Sequence, residues 1–259
     1  YGLGNALCNL FGRFVVLGVA CALDTLASQA WGAHEPQKAG LYTLRATLIL
    51  LTLVCAPLTV VWWFASPILV ALGQPPAVAD QTSVFARLSL PGLYASAFSI
   101  AGSKLFLALG KSRPVMLTSL LAEAVILSLL VLLIVHPYQL GLTGAAIATL
   151  ASNLVQPFAL FAFALCDADV RSCWPGLSRD CLRGWWSYLR LGAPACFMLL
   201  AEALSWDIVS FLAGLCHTAT GSGPANPKAV LAAQGLLQST IAMCYCVPQA
   251  ISRAGSTVI

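Results

Sequence analysis

Long apolar stretches separated by short polar turns dominate the chain. Residues 46–79 contain no Asp, Glu, Lys or Arg, and neither do residues 124–166. The second run is too long for one membrane crossing, which takes about 20 apolar residues. It is interrupted by His136-Pro137-Tyr138-Gln139 ahead of Gly141, a turn signal. The pattern predicts seven spanning helices: Leu3–Leu26, Leu41–Leu72, Ser83–Ala108, Pro114–Val135, Gly141–Cys166, Trp186–Leu215 and Ala229–Ile251. The fold class expected is therefore an all-α, polytopic membrane protein. The second and sixth spans are long, so their ends are expected to tilt or lie in the interface.

Composition narrows the function classes. Of 259 residues, 59% are hydrophobic and only 8% charged, where a soluble domain has about 25% charged. That excludes an ordinary soluble enzyme and a disordered chain. The net charge of +4 is small and scattered, so no nucleic-acid partner is expected. Lys38 and Arg45 follow the first span, Lys111 and Arg113 the third, and Arg171, Arg179, Arg183 and Arg190 the fifth. The loops after the second and fourth spans hold neither Lys nor Arg, and the one after the sixth holds only Lys228. Positive charge collects in cytoplasmic loops, so the odd loops are expected inside. Residues 167–184 form the longest polar stretch and are expected to be a cytoplasmic linker.

Cys8, Cys21, Cys55, Cys196, Cys244 and Cys246 lie in apolar runs, where cysteine acts as a small hydrophobe. No cysteine pair has zinc-ligand spacing beside histidines, so neither metal nor cofactor is expected. No H-E-x-x-H, G-x-S-x-G or G-x-x-x-x-G-K-[ST] motif occurs. The expectation is not an enzyme, and any transport would be secondary active. The chain starts at Tyr1 without a basic leader, so the sequence suggests no signal peptide and a beginning in mid-protein.

Polar groups at bilayer depth are costly and usually face a cavity or a partner. Asn5, Asn9 and Arg13 recur every four residues, one face of a helix. They are read as a cavity lining, with a helix–helix hydrogen-bonding contact as the alternative. Asp24 is expected at a solvated helix end. Arg87, Lys104 and Arg253 are expected to snorkel. Glu123, inside the fourth span, is either paired or protonated. Gly144, Ala148 and Ser152 mark a close-packing face, and Pro57, Pro91, Pro157, Pro194 and Pro248 mark kinks.

The sharpest signal is LLAEALSWDIVSFLAG. Glu202 lies about 22 Å along its span, inside the hydrocarbon. A carboxylate there is disfavoured unless a proton or another cation joins it, the physical basis of proton–cation exchange. Ser205 and Trp206 follow on the same face, and the indole offers a π surface to a cation. Asp207 points about 140° away and lies nearer the interface. The alternative for Glu202 is a structural carboxyl hydrogen-bonded between helices.

The stretch GVACALDTLASQAWGAHEPQKAGLYTLRA resembles the second-helix signature of the multidrug and toxic compound extrusion (MATE) family through Gly18, Ala22, Asp24-Thr25-Leu26, Gln29, Gly32 and Arg45. CLRGWWSYLRLGAPACFMLLAEALSWDIVSFLAG resembles its seventh helix in eukaryotic form, and VLAAQGLLQSTIAMCYCVPQAISRAGS its eighth. Pro91, Lys104, Gly110 and Pro114 fit the fourth-to-fifth helix pattern, and GLTGAA the start of the sixth.

The resemblance implies helices two to eight of a twelve-helix, two-bundle fold. Residues 1–166 would be an N-terminal bundle lacking its first helix, 167–184 the linker, and 185–259 the first two helices of the C-terminal bundle. It also implies export of organic cations, drugs or metabolites in exchange for protons, in preference to sodium, across the plasma or vacuolar membrane. Glu202 matches the family's proton–cation glutamate, Asp207 its second acidic residue, and Asn9 a cleft asparagine. Arg13, Trp206, Gln234 and Asn5 are further lining candidates. Ala203 and Leu204 stand where eukaryotic members often have aromatics. Two other expectations remain open: an inactive truncated fragment, and a lipid-precursor flippase of the same wider superfamily. A seven-helix receptor lacks its signatures here, an aspartate-arginine pair after the third span and N-P-x-x-Y in the last.

Overall fold

In a computed structural model the described residues are 8–71, 76–135, 141–174, 176, 179–220, 237, 240, 241, 243–248 and 251. Among them there is no strand. A π-helical turn, Asn9–Arg13, leads into α1, Phe14–Gly32. This helix passes the predicted Leu26 because Ala27 and Ala30 are also buried in the packing. It stops at a tight turn in which His34 takes a φ of 61°, a conformation that histidine tolerates better than most residues. Proline in the first turn then starts α2, Pro36–Ile49.

A second π turn, Leu50–Cys55, carries α2 into α3, Ala56–Trp63. The predicted second span thus begins earlier than Leu41 and is interrupted at Phe64, beyond which lies α4, Ala65–Ala71. Helix α5, Pro76–Ala108, begins before the predicted Ser83 and continues through Pro91. Helix α6, Ser112–Leu130, ends in a π turn, Val131–Val135. Helix α7, Gly141–Cys166, has the predicted bounds and contains Pro157. A short α8, Ala168–Ser172, and a 3-10 turn, Arg179–Leu182, precede α9, Trp185–Thr220.

Five stretches among the described residues are long and apolar enough to cross a membrane: Phe14–Gly32, Pro36–Trp63, Thr82–Ala108, Ser112–Leu133 and Thr143–Cys166. They correspond to the first five predicted spans. Helix α9 covers the sixth. Within the seventh, residues 237, 240, 241, 243–248 and 251 are helical, and the remainder lies outside the described residues.

The described residues form two compact units, 1–199 and 200–259. In the first, α1 is central. Val16, Val19, Ala20, Leu23 and Ala27 pack with Ile49 and Leu50 of the second span and with Ala86, Leu93, Ala97 and Ala101 of α5. A second cluster, including Ala30, Ala39, Phe106, Leu109, Val170 and Cys173, lies where the turns gather. Lipid tails are as apolar as leucine, so such helices associate through van der Waals fit and small residues. The predicted face on α7 is of this kind: Gly144, Ala148 and Ser152 are buried. Ser152 also donates across to the carbonyl of Ala122 on α6, at 2.9 Å.

The closest approach joins α1 to the first half of α9. A Cβ on Gly18 would lie 2.5 Å from Cys196 Cα, and one on Gly192 would lie 3.0 Å from the Val19 carbonyl oxygen. Tyr188, on the same half of α9, is buried in the core around α1.

The described residues of the polar stretch after α7 are tied to neighbouring helices. Asp167 caps α8, accepting from the backbone N–H groups of Asp169 at 3.0 Å and Val170 at 3.3 Å. Lys111, in the α5–α6 turn, donates to Asp167 Oδ2 at 2.7 Å and to Asp169 Oδ2 at 2.6 Å. Arg45 of α2 donates to the Asp180 carbonyl at 3.0 Å and stacks on Tyr42. The hydrogen bond from Lys111, helped by the two backbone donors, holds the Asp167 carboxyl below its ordinary range. The two carboxylates raise Lys111 above its own.

Two outcomes follow. Gly18→Val should force α1 from α9 and cost about 1–3 kcal/mol as overpacking, read as a melting temperature several degrees lower in detergent. Since the folded Asp167 carboxyl titrates below its unfolded value of 3.8, its contribution is present above that pH and lost as pH falls further. Asp167→Ala should remove it at neutral pH, raising amide hydrogen exchange at Asp169 and Val170 several-fold. Parent protein should show the same rise only on acidification, after correction for intrinsic exchange rates.

Candidate functional site

Glu202 sits on α9 within the second unit, after the apolar run from Pro194 to Ala201. Its side chain is half-buried beside buried Ala203. The Tyr245 hydroxyl donates to Glu202 Oε1 at 2.9 Å. Tyr245 belongs to the helical residues 243–248, so this bond links two helical segments of one unit. The Ser205 hydroxyl instead donates to the main-chain carbonyl of Glu202 at 2.7 Å, a local helix bond. Trp206 and Asp207 continue the helical backbone, but their side chains lie outside the described set. Gln234 and Asn5 lie wholly outside it.

In the first unit, Asn9 and Arg13 occupy the π-helical turn. Asn9 is half-buried and Arg13 exposed, so the stripe predicted on α-helical spacing does not have one uniform environment. Asp24, expected at a solvated helix end, is exposed but lies well before the end of α1, and it accepts an ion-pair hydrogen bond from Lys104 of α5. Lys104, expected to snorkel, directs its ammonium to that exposed carboxylate. Arg87 likewise has a specific contact. It donates to the Trp63 carbonyl at 2.9 Å and lies over the Trp63 ring at 5.1 Å, covering the end of α3. Glu123 is exposed on α6.

Sequence reasoning singled out Glu202 but not Tyr245, which looks like one more large residue in an apolar run. The Asp24–Lys104 pair did leave a signal: two opposite charges, each near the same end of its span.

The MatE family model matches residues 1–133, slightly more than half of the chain. The chain belongs to the MATE family. It is 33% identical over 256 residues to Protein DETOXIFICATION 51 of Arabidopsis thaliana, covering 98% of this chain and 46% of that protein. Against Multidrug and toxin extrusion protein 1 of Homo sapiens it is 30% identical over 254 residues, covering 98% and 42%. Its fold superposes on the crystal structure of the eukaryotic MATE transporter AtDTX14 with a TM-score of 0.83 at 27% identity, covering 99% of this chain and 55% of that one. This MATE chain spans about half the length of the curated relatives it matches. It is an integral membrane protein of a transporter family, with the all-helical architecture that its apolar runs require.

Proposed function

We propose that this MATE chain is part of a secondary active exporter of organic cations, drugs or metabolites, driven by exchange for protons. The observation that carries the reading is Glu202, a carboxyl midway along α9 whose Oε1 accepts a hydrogen bond from a tyrosine hydroxyl. The names of the relatives, detoxification and multidrug and toxin extrusion, agree with such cargo.

The mechanism follows from the cost of charge in a low-dielectric setting. A proton or an organic cation each neutralises the Glu202 carboxylate, so either ligand serves the same site. An organic cation replaces the proton and neutralises the carboxylate in its turn. One carboxyl does not hold both, so release of one ligand is coupled to uptake of the other. Re-protonation from the more acidic side discharges the cation there. Asp207 is a second acidic group on α9, with Trp206 and Gln234 as lining residues of the same unit. Asn9, Arg13 and Asn5 supply polar groups in the N-terminal bundle. In this reading residues 1–166 belong to that bundle, 167–184 are the linker, and 185–259 are the first two helices of the C-terminal bundle. The setting is the plasma or vacuolar membrane.

The test is proton-gradient-driven export of tetraethylammonium by the complete protein at matched membrane levels. Glu202→Gln retains volume but does not ionise, and should reduce export to background. Glu202→Asp should retain part of it with a displaced pH profile, and Asp207→Asn should do less harm than Glu202→Gln. Export by Glu202→Gln at the parent rate would make the carboxyl structural and end this mechanism.

A further inference from the structure

We propose that Tyr245 is the positioning residue of the exchange carboxyl, holding Glu202 Oε1 in both its proton-loaded and cation-loaded states. The inference rests on the transport reading of Glu202 given above.

The argument starts from what each group offers. An ionised carboxylate only accepts hydrogen bonds, whereas a protonated carboxyl also donates one. A partner that both donates and accepts can therefore stay on the same oxygen through the exchange, whichever oxygen carries the proton. Lysine and arginine only donate, and they would also neutralise the carboxylate that the cargo cation has to meet. A phenolic hydroxyl does both by rotating about its C–O bond. Tyr245 donates to Glu202 Oε1 at 2.9 Å, and reversal of that bond serves the acid form.

Among the described residues, the surroundings favour Tyr245 for this task over the nearest hydroxyl in sequence. Ser205 Oγ is spent on the Glu202 main-chain carbonyl. Ala203 and Leu204, the flanking residues on α9, have no polar side-chain atoms. On the other segment Met243 and Val247 are apolar and exposed at 78% and 63%. A glutamate side chain turns about several bonds, so fixing one oxygen orients the whole carboxyl toward an arriving cation. Tyr245 is itself 42% exposed, so its hydroxyl can be removed without opening a cavity in a packed core.

The test uses the complete protein, purified, with two readouts. The first needs no cargo: the infrared difference spectrum between acid and alkaline protein. A carboxyl band absent from Glu202→Gln should be present in Tyr245→Phe but shifted, because its carbonyl or O–H has lost a partner. The second is equilibrium binding of radiolabelled tetraethylammonium, in which site number reports the folded fraction separately from affinity. Tyr245→Phe should raise Kd about five- to tenfold, as expected for losing a hydrogen bond to a charged group that is partly exposed. In a Glu202→Gln background it should add no further loss.

An unshifted Glu202 band in Tyr245→Phe overturns the inference. So does an equal loss of affinity with and without Glu202. A Glu202→Gln protein that keeps both the band and parent affinity would instead refute the transport reading beneath it.

Discussion

A bilayer interior offers no water to hydrogen-bond, and almost every feature of this chain answers to that constraint. Backbone groups must be satisfied within their own segment, which selects helices. Polar side chains follow the same rule on a smaller scale. Thr43, Thr47, Thr52, Thr59, Ser89, Ser99, Ser128 and Thr149 each donate to the carbonyl one turn back. Such hydroxyls are neutral cargo for a membrane helix. Among the described residues, those that reach another helix are fewer and more informative: Ser152 to Ala122, Thr59 with Tyr94 at 2.9 Å, and Ser66 to Asp80 at 2.6 Å. Glu202 and Tyr245 form the same kind of bond, again with a carboxyl as acceptor.

The same solvent removes the usual reason for helices to associate. In water, burying leucine against leucine is favourable, whereas in lipid it exchanges one apolar neighbour for another. Shape then carries the packing. At Gly18 and Gly192 the α1 and α9 backbones approach too closely for any larger residue to fit undisturbed. The alanines of α1 and α5 extend the close packing along the core. Large apolar side chains meanwhile remain on outer surfaces, as Leu120, Leu127, Phe158 and Phe161 do. In a membrane protein such exposure is contact with lipid rather than a liability.

Much of the fold was legible because hydrocarbon thickness sets a length, and the charge-free runs had that length. Helix α7 was read with its observed bounds, since His136-Pro137 and Asp167 punctuate both its ends. The turn after α1 was misplaced because Ala27–Trp31 lacks strong apolar character yet forms good helix. The break at Phe64 left no mark, falling inside a uniformly apolar run. Site residues divide similarly. A carboxyl within apolar sequence announces itself, so Glu202 stood out. Its partner lies 43 residues away on another segment, and pairing across that distance is written in tertiary geometry, not in spacing. Asp24 and Lys104 were read separately, and the ion pair joins them.

The anchoring of the stretch between α7 and α9 has a mechanical consequence. Asp167 ties its beginning to the α5–α6 turn through Lys111, and the Asp180 carbonyl ties its end to α2 through Arg45. Each described end of the connector acts as a bracket fixed to its neighbours. Displacement at the start of α9 pulls on α2 through Arg45, and displacement beside α8 pulls on the α5–α6 turn through Lys111. The joints are ion pairs and hydrogen bonds at the water boundary, so salt and pH, rather than lipid, set how rigid each bracket is.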